Sequence, residues 1–323
     1  MEQNSSSLKY VHISTSADTI VDYIDKRRKN EIRSLATPWR KFNEICMGGI
    51  EWNTITTIAG MSGSGKTAIQ GQLETGLKYL NPKEDFAILS FGFEMLSSRM
   101  VGRKLSNRLK LTTQQLYSGK NDFELTDQCF DQVQKEAKSL SKYDIYYVDI
   151  PGNAKQIENT IMKFATEEWM INSPKGIMVF LDHTLLVKKL GNSSDKDLLY
   201  DLMCTFNKLK KLLKISFVLL SQMNRNIESS ERIQNPSLHF PSKQDIFGAD
   251  ACYMYSDVVL VTHRPEMLGI QRYGVKGWTT KDLLFWHYLK VREGEPCIAA
   301  MVNNLKHNEV LDYVPENQND DET

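Results

Sequence analysis

The sequence predicts an α/β protein built on a largely parallel central sheet. Three observations predict it. A glycine-rich stretch, TITTIAGMSGSGKT at residues 54–67, joins an apolar run to a helix-forming run. Short apolar segments then alternate with helical segments, the pattern of a parallel sheet covered on both faces. Near the C-terminus three strand-like runs follow one another through short turns, which adds a meander to the sheet.

The elements follow in order. Residues 1–17 are polar and read as a loosely held tail. Residues 18–33 read as a helix, with Asp18 as its cap, Ile20, Val21 and Ile24 as an apolar stripe, and a basic cluster at 26–29. Pro38, Trp39 and the Gly48-Gly49 pair mark a lead-in to the first core strand at 55–59. A helix starts near Lys66. Strands are predicted at 86–91, 144–150, 176–181, 215–220 and 257–262. Helices are predicted at 97–109, 126–140, 155–171 and 195–213. The closing meander takes 284–292, 297–302 and 310–314. The expected division is a tail and helix at 1–34, one core domain at 35–315, and an acidic, disordered tail at 316–323.

Composition sets outer bounds. The 323 residues carry 40 basic and 40 acidic side chains, so no global positive field argues for nucleic acid, although local basic loops could bind it. The five cysteines are scattered and form no C-x-x-C, which reads as reduced thiols in a cytoplasmic protein. No run is apolar enough for a membrane span.

The chemistry begins at Gly60, Gly65, Lys66 and Thr67, which fill the pattern G-x-x-x-x-G-K-[ST]. Glycines let backbone N–H groups close on phosphate oxygens, and the helix behind them points its positive end at the same oxygens. Lysine reaches the outer phosphates and threonine offers a hydroxyl to Mg²⁺. Gly60, Ser62, Gly63, Ser64, Gly65, Lys66, Thr67 and Ala68 are therefore the predicted nucleotide-binding residues, with ATP and Mg²⁺ as cofactors.

Further groups follow from strand ends. Asp182 ends the run GIMVFLD, where a parallel strand presents a carboxylate to ligands; it suits a metal-holding role better than a helix cap. Glu94 follows FAILSFGF and is either a water-polarising base or a surface cap of the next helix. Gln222 ends ISFVLLSQ, where an amide can bond a γ-phosphate and a mobile loop. Lys290 and Arg292, two apart, are expected to share one strand face, with Leu289 and Val291 on the other. Taken alone they read as solvated edge charges.

Together these motifs resemble the motor domain of DnaB-type replicative helicases, which are hexameric ATPases of RecA-like fold. GGI at 48–50, AGMSGSGKTA at 59–68, SFGFEM at 90–95, MVFLDHTLLV at 178–187, LLSQMNR at 219–225 and LKVREG at 289–294 carry the resemblance over residues 35–314. It implies Glu94 as catalytic base, Asp182 and Thr67 at the metal, Gln222 as γ-phosphate sensor, and Lys290 with Arg292 as a pair reaching the neighbouring subunit's ATP. It implies a linker helix at 18–33 that docks on the adjacent protomer. Implied partners are single-stranded and forked DNA, five further copies of the chain, and a primase or helicase loader.

The sequence departs from the family in three places. The N-terminal collar domain is missing, which suits a phage or mobile-element motor acting in a host cytoplasm. His183 stands where the family has tyrosine, and Phe247 where its second DNA loop has arginine. DNA contacts are therefore expected from local lysines and backbone: Lys188 and Lys189, with Lys196, after the strand ending in Asp182, and Arg225 and Lys243 within 225–250. Two rival readings share the core: a RecA/RadA-like recombination ATPase, and an ATP-binding scaffold or helicase loader without productive turnover.

Overall fold

A computed structural model describes residues 10–117, 125–169, 175–189 and 194–314. The expected tail at 316–323 lies outside these residues, as do most of the first residues and 190–193. The chain divides into two units between Ser34 and Leu35.

The first unit holds helix α1, Ile13–Arg28. It starts five residues before the expected Asp18 and ends five before Arg33. The His12 ring nitrogen accepts the Ser14 N–H and so takes the capping role assigned to Asp18. Lys26, Arg27 and Arg28 fall in the last turn, where the helix dipole favours cations. Ile20, Val21 and Ile24 are all more than half exposed.

The second unit is organised on nine strands. After the short helix α2 (Arg40–Ile45) come β1 (Ile55–Gly60), α3 (Lys66–Leu80), β2 (Phe86–Gly92), α4 (Ser97–Leu109), α5 (Thr113–Tyr117), α6 (Asp127–Leu140) and β3 (Ile145–Val148). Then follow α7 (Ala154–Lys163), β4 (Gly176–Asp182), α8 (Asp195–Leu212), β5 (Ile215–Gln222), α9 (Ser230–Gln234), α10 (Ala249–Tyr255) and β6 (Val258–His263). A small hairpin, β7 (Arg272–Tyr273) and β8 (Trp278–Thr279), precedes β9 (Leu283–Val291), β10 (Cys297–Asn304) and β11 (Glu309–Asp312). Side-chain caps start several helices: Thr126 caps α6, and capping boxes at Asn153/Gln156 and Ser194/Asp197 open α7 and α8. The long helix expected over 155–171 instead ends at Lys163 and passes into a wider π turn, Phe164–Trp169.

The sheet order is β11-β10-β9-β6-β1-β5-β4-β2-β3. From β6 to β3 all pairings are parallel, and β6-β9, β9-β10 and β10-β11 are antiparallel. This is the RecA-like arrangement expected from the alternating pattern and the closing meander. Residues on alternate sides of each strand feed two cores. Ile58, Leu260, Trp286 and Tyr288 pack with Ile69 and Leu73 of α3 on one face. Phe217 and Leu219 pack with Leu202 and Phe206 of α8 on the other. Each such fully buried side chain contributes roughly 1.5–3 kcal/mol. The free edge of β11 is covered. Gln72 of α3 bonds both the N–H and the carbonyl of Val310, at 2.7 and 3.1 Å, and the Trp39 indole adds a third bond at 2.8 Å. No described helix is long and apolar enough to cross a membrane.

Candidate active site

The predicted phosphate loop lies where β1, buried along its whole length between β5 and β6, ends at Gly60. A Cβ on Gly60 would collide with Ser64 Oγ and with Thr262. Gly65 has φ +94°, a left-handed conformation that turns the chain into α3 at Lys66. Ser64 Oγ donates to the Met61 carbonyl at 2.8 Å, and Thr262 Oγ1 of β6 donates to the Ser64 carbonyl at 3.0 Å. The loop is thus held in shape by its own residues and by β6. Ser62 and Gly63 are exposed at its tip, Thr67 is half-buried, and Ala68 is buried in the first turn of α3.

Lys66 is folded back into this turn. Its Nζ donates to the carbonyls of Gly60 (2.6 Å) and Met61 (2.9 Å) and to Gln222 Oε1 (3.2 Å). Burial pushes its pKa down to about 8, against the opposing pull of Asp182 and Glu94. The sheet register explains the meeting: Gly60 pairs with Gln222 across β1-β5, and Gly92 with Asp182 across β2-β4. The Phe93 N–H donates to the Asp182 carbonyl at 2.9 Å, which sets Glu94 beside the end of β4. Burial first, then the Glu94 charge, pushes the Asp182 carboxyl up to about 7. Burial also lowers the pKa of His183, whose peptide link to Asp182 is cis.

This donor set fits a hard cation. Among the described residues, Asp182 Oδ1 and Thr184 Oγ1 are buried oxygens without a hydrogen-bond partner, two residues apart. Unpaired buried oxygens are costly unless a ligand or water serves them. Oxygen ligands of this kind suit Mg²⁺ or its water shell.

Arg292 and Lys290 lie at the other end of the sheet. Arg292 follows β9 and stands beside Asp257, level with Ile55, the first residue of β1. Five residues of strand, about 17 Å at ~3.3 Å each, separate that level from Gly60. The two cations do not share a target. Lys290 Nζ donates to the Tyr253 carbonyl at the end of α10 (2.6 Å) and lies over the Tyr253 ring; burial lowers its pKa. Arg292 Nε donates to Asp257 Oδ1 at 2.6 Å. Leu289 and Val291 do not share a face as expected. Leu289 packs beside Val259 and Val261, whereas Val291 joins the core of Leu260 and Trp286. The cause is a bulge: Val259 pairs with Lys290 but Leu260 with Tyr288, leaving Leu289 as the extra residue.

Residues 34–299 match the protein family described as "DnaB-like helicase C terminal domain". The chain belongs to this family. It therefore has the motor domain of a DnaB-type helicase, a replicative-helicase type of ATPase. The fold is shared with a solved ATPase domain of a DnaB-like helicase, at TM-score 0.77 and 16% identity over 95% of this chain and 100% of that one. It is shared too with a DnaB-like replicative helicase studied for its interactions with primase, at TM-score 0.75 and 14% identity over 97% of this chain and 69% of that one. No curated protein is a significant match.

The lysines considered for DNA are mostly occupied in this DnaB-type motor. Lys189 pairs with Asp195 at 2.7 Å, and Lys243 with Asp250 at 3.0 Å. Lys188 and Arg225 are exposed, as is Lys196. The stretch 225–248 is not an open loop. It folds into short helical turns, fixed by the buried Arg232–Asp245 ion pair and by the Phe247 N–H bonded to the Gln222 carbonyl.

Several residues at the site carried no motif. Met267 lies against Gly63 and Leu305 against Gly65, so two apolar side chains flank the phosphate loop. Arg264, just past β6, has a buried Nε without a partner among the described residues. Its place at the carboxyl end of a strand beside β1 was the available signal. Asp149, after β3, accepts from both the N–H and the hydroxyl of Ser97, at 3.1 and 2.8 Å, and so fixes the start of α4 three residues beyond Glu94.

Proposed function

We propose that this chain is an ATP-driven replicative DNA helicase that works as a homo-hexameric ring, translocates on single-stranded DNA and unwinds duplex. The observation that carries this reading is the separation of the phosphate loop from Arg292 at opposite ends of β1. A finger that cannot reach its own subunit's nucleotide is suited to the next subunit's. Such head-to-tail contacts close into rings.

In this reading Gly60, Gly63, Ser64 and Gly65 shape the phosphate cradle, with Ser62 and Ala68 beside them. Lys66 releases the loop carbonyls and turns to the β- and γ-phosphates. Mg²⁺, held by Thr67 and Asp182, neutralises phosphate charge when bound. Glu94 takes a proton from the attacking water, and Gln222 senses the γ-phosphate. Gln222 is suited to pass that state on, because its backbone carbonyl holds Phe247 in the 225–248 stretch. Arg292 stabilises charge on the neighbour's γ-phosphate, while Lys290 braces the finger strand against α10. Lys188, Lys189, Arg225 and Lys243 supply sequence-independent phosphate contacts. The helix at 13–28 serves as linker to the adjacent protomer, and a primase or loader is the partner to seek by co-purification.

The test is unwinding of forked DNA with ATP, using forks that differ in which strand carries the tail, alongside ATPase with and without single-stranded DNA. Strand displacement from one fork polarity, with DNA-stimulated turnover, is expected. Strand exchange without displacement would make the chain a recombination ATPase. Nucleotide binding without turnover would make it a scaffold or loader.

A further inference from the structure

We propose that Asp257 is a positioning residue for Arg292, orienting its guanidinium toward the adjacent subunit. The proposal rests on the reading of Arg292 as the group that serves the neighbour's ATP.

Asp257 is a fixed point. Its side chain is about nine-tenths buried, at 11% exposure. Oδ2 accepts from the Ile55 N–H at 2.8 Å and from Lys210 Nζ of α8 at 2.7 Å. The remaining oxygen accepts from Arg292 Nε at 2.6 Å, and the Asp257 carbonyl accepts the Arg292 backbone N–H at 2.8 Å. The arginine is held twice, once through its backbone and once through its head.

The choice of donor matters. Guanidinium has five N–H donors in a rigid plane. Anchoring through Nε leaves both terminal amino groups unengaged among the described residues, on a side chain that is half exposed. Those two groups are the ones that match phosphate geometry. A pair with one half-exposed member adds little to stability, and Asp257 already has two other donors. Its bond to Arg292 is better explained as restriction of a long, flexible side chain to one direction. Lys290 does not compete, because its ammonium is engaged at the end of α10.

The experiment uses the full chain, with steady-state ATPase on single-stranded DNA and a fluorescent nucleotide for affinity. Asp257→Asn is expected to lower kcat by roughly a hundred-fold, with KM and nucleotide affinity little changed. Asp257→Asn combined with Arg292→Ala should be no slower than Arg292→Ala alone, since one lost orientation cannot be lost twice. A purely structural lesion would add to the second change and would disturb affinity as well. Turnover of Asp257→Asn near wild type beside a dead Arg292→Ala overturns the positioning role and leaves the finger reading standing. Wild-type turnover of Arg292→Ala removes the finger, and Asp257's role with it. Should Asp257→Asn fail to fold, Arg292→Lys decides. A lysine has one head and cannot hold the carboxylate and reach outward together, so its turnover should fall close to that of Arg292→Ala. Near-normal turnover of Arg292→Lys overturns the proposal.

Discussion

Mixing two inactive variants tests the proposed ring most directly. Lys66→Ala removes the ammonium that bonds Gly60, Met61 and Gln222, so its pocket is broken while its finger edge is intact. Arg292→Ala keeps the pocket and loses the finger. The two sites lie at opposite ends of β1, about 17 Å apart along the strand, farther than an arginine side chain spans. Each change should therefore leave the other site undisturbed. Alone, Arg292→Ala should lose roughly a thousand-fold or more of turnover, the scale of arginine fingers. In rings assembled at random from equal amounts, about one interface in four joins a good pocket to a good finger. Turnover should thus recover to about a quarter of wild type, with a maximum at equal proportions. The assay is steady-state ATPase across mixing ratios, with mixed assembly verified by differential tags. If mixed assemblies form and turnover stays at the sum of the two inactive proteins, Arg292 does not act between subunits. Asp257→Asn should behave in this assay as Arg292→Ala does.

Three further expectations follow from the site. Glu94→Gln should bind nucleotide and fail to hydrolyse it; if more than a tenth of wild-type turnover survives, a barrier change under about 1.4 kcal/mol, another group is the base. Asp182→Asn should inactivate the protein yet raise its melting temperature at pH 8 without nucleotide or metal. The folded carboxyl titrates near 7 rather than 3.8, so its contribution to stability is full below 3.8 and lost as pH rises through 7, by up to about 4 kcal/mol. Thermal melts of both proteins at pH 5 and pH 8 check the sign, and a gap that does not widen with pH would refute it. Neutralising Lys188, Lys189 and Lys243 together should weaken binding to single-stranded DNA and flatten the salt slope by up to about two units, at ~0.7 per lost phosphate contact. An unchanged slope would put the DNA path elsewhere.

Much of the fold is legible because it follows from local chemistry. Runs such as ITTIAG and FAILSFG are buried at every position, and parallel strands covered on both faces read in sequence as unbroken apolar runs. Capping residues mark α6 and α8 to within a residue. The first helix is misplaced by sequence because an aspartate is the commoner cap, whereas here a histidine ring nitrogen does that work five residues earlier. Between β5 and β6 no periodicity is available. That stretch is built from turns of three to seven residues, pinned by the Arg232–Asp245 pair and by backbone bonds to the end of β5.

The active site divides along the same line. Lys66, Asp182 and Gln222 can be gathered on paper because each stands at the carboxyl end of a parallel strand or just beyond one, and parallel register brings those ends together. The finger edge obeys no such rule. Where Arg292 points depends on the register of β9 against β6 and on the bulge at Leu289, which shifts every residue after it. Alternation counted along β9 alone therefore puts Leu289 and Val291 on one face. Asp257 is invisible for the same reason. It reads as an ordinary polar residue before a strand, and its importance comes from three partners, Ile55, Lys210 and Arg292, that are 202, 47 and 35 residues away in sequence. A residue whose role is to aim another is specified by pairing between strands, so only the folded register reveals it.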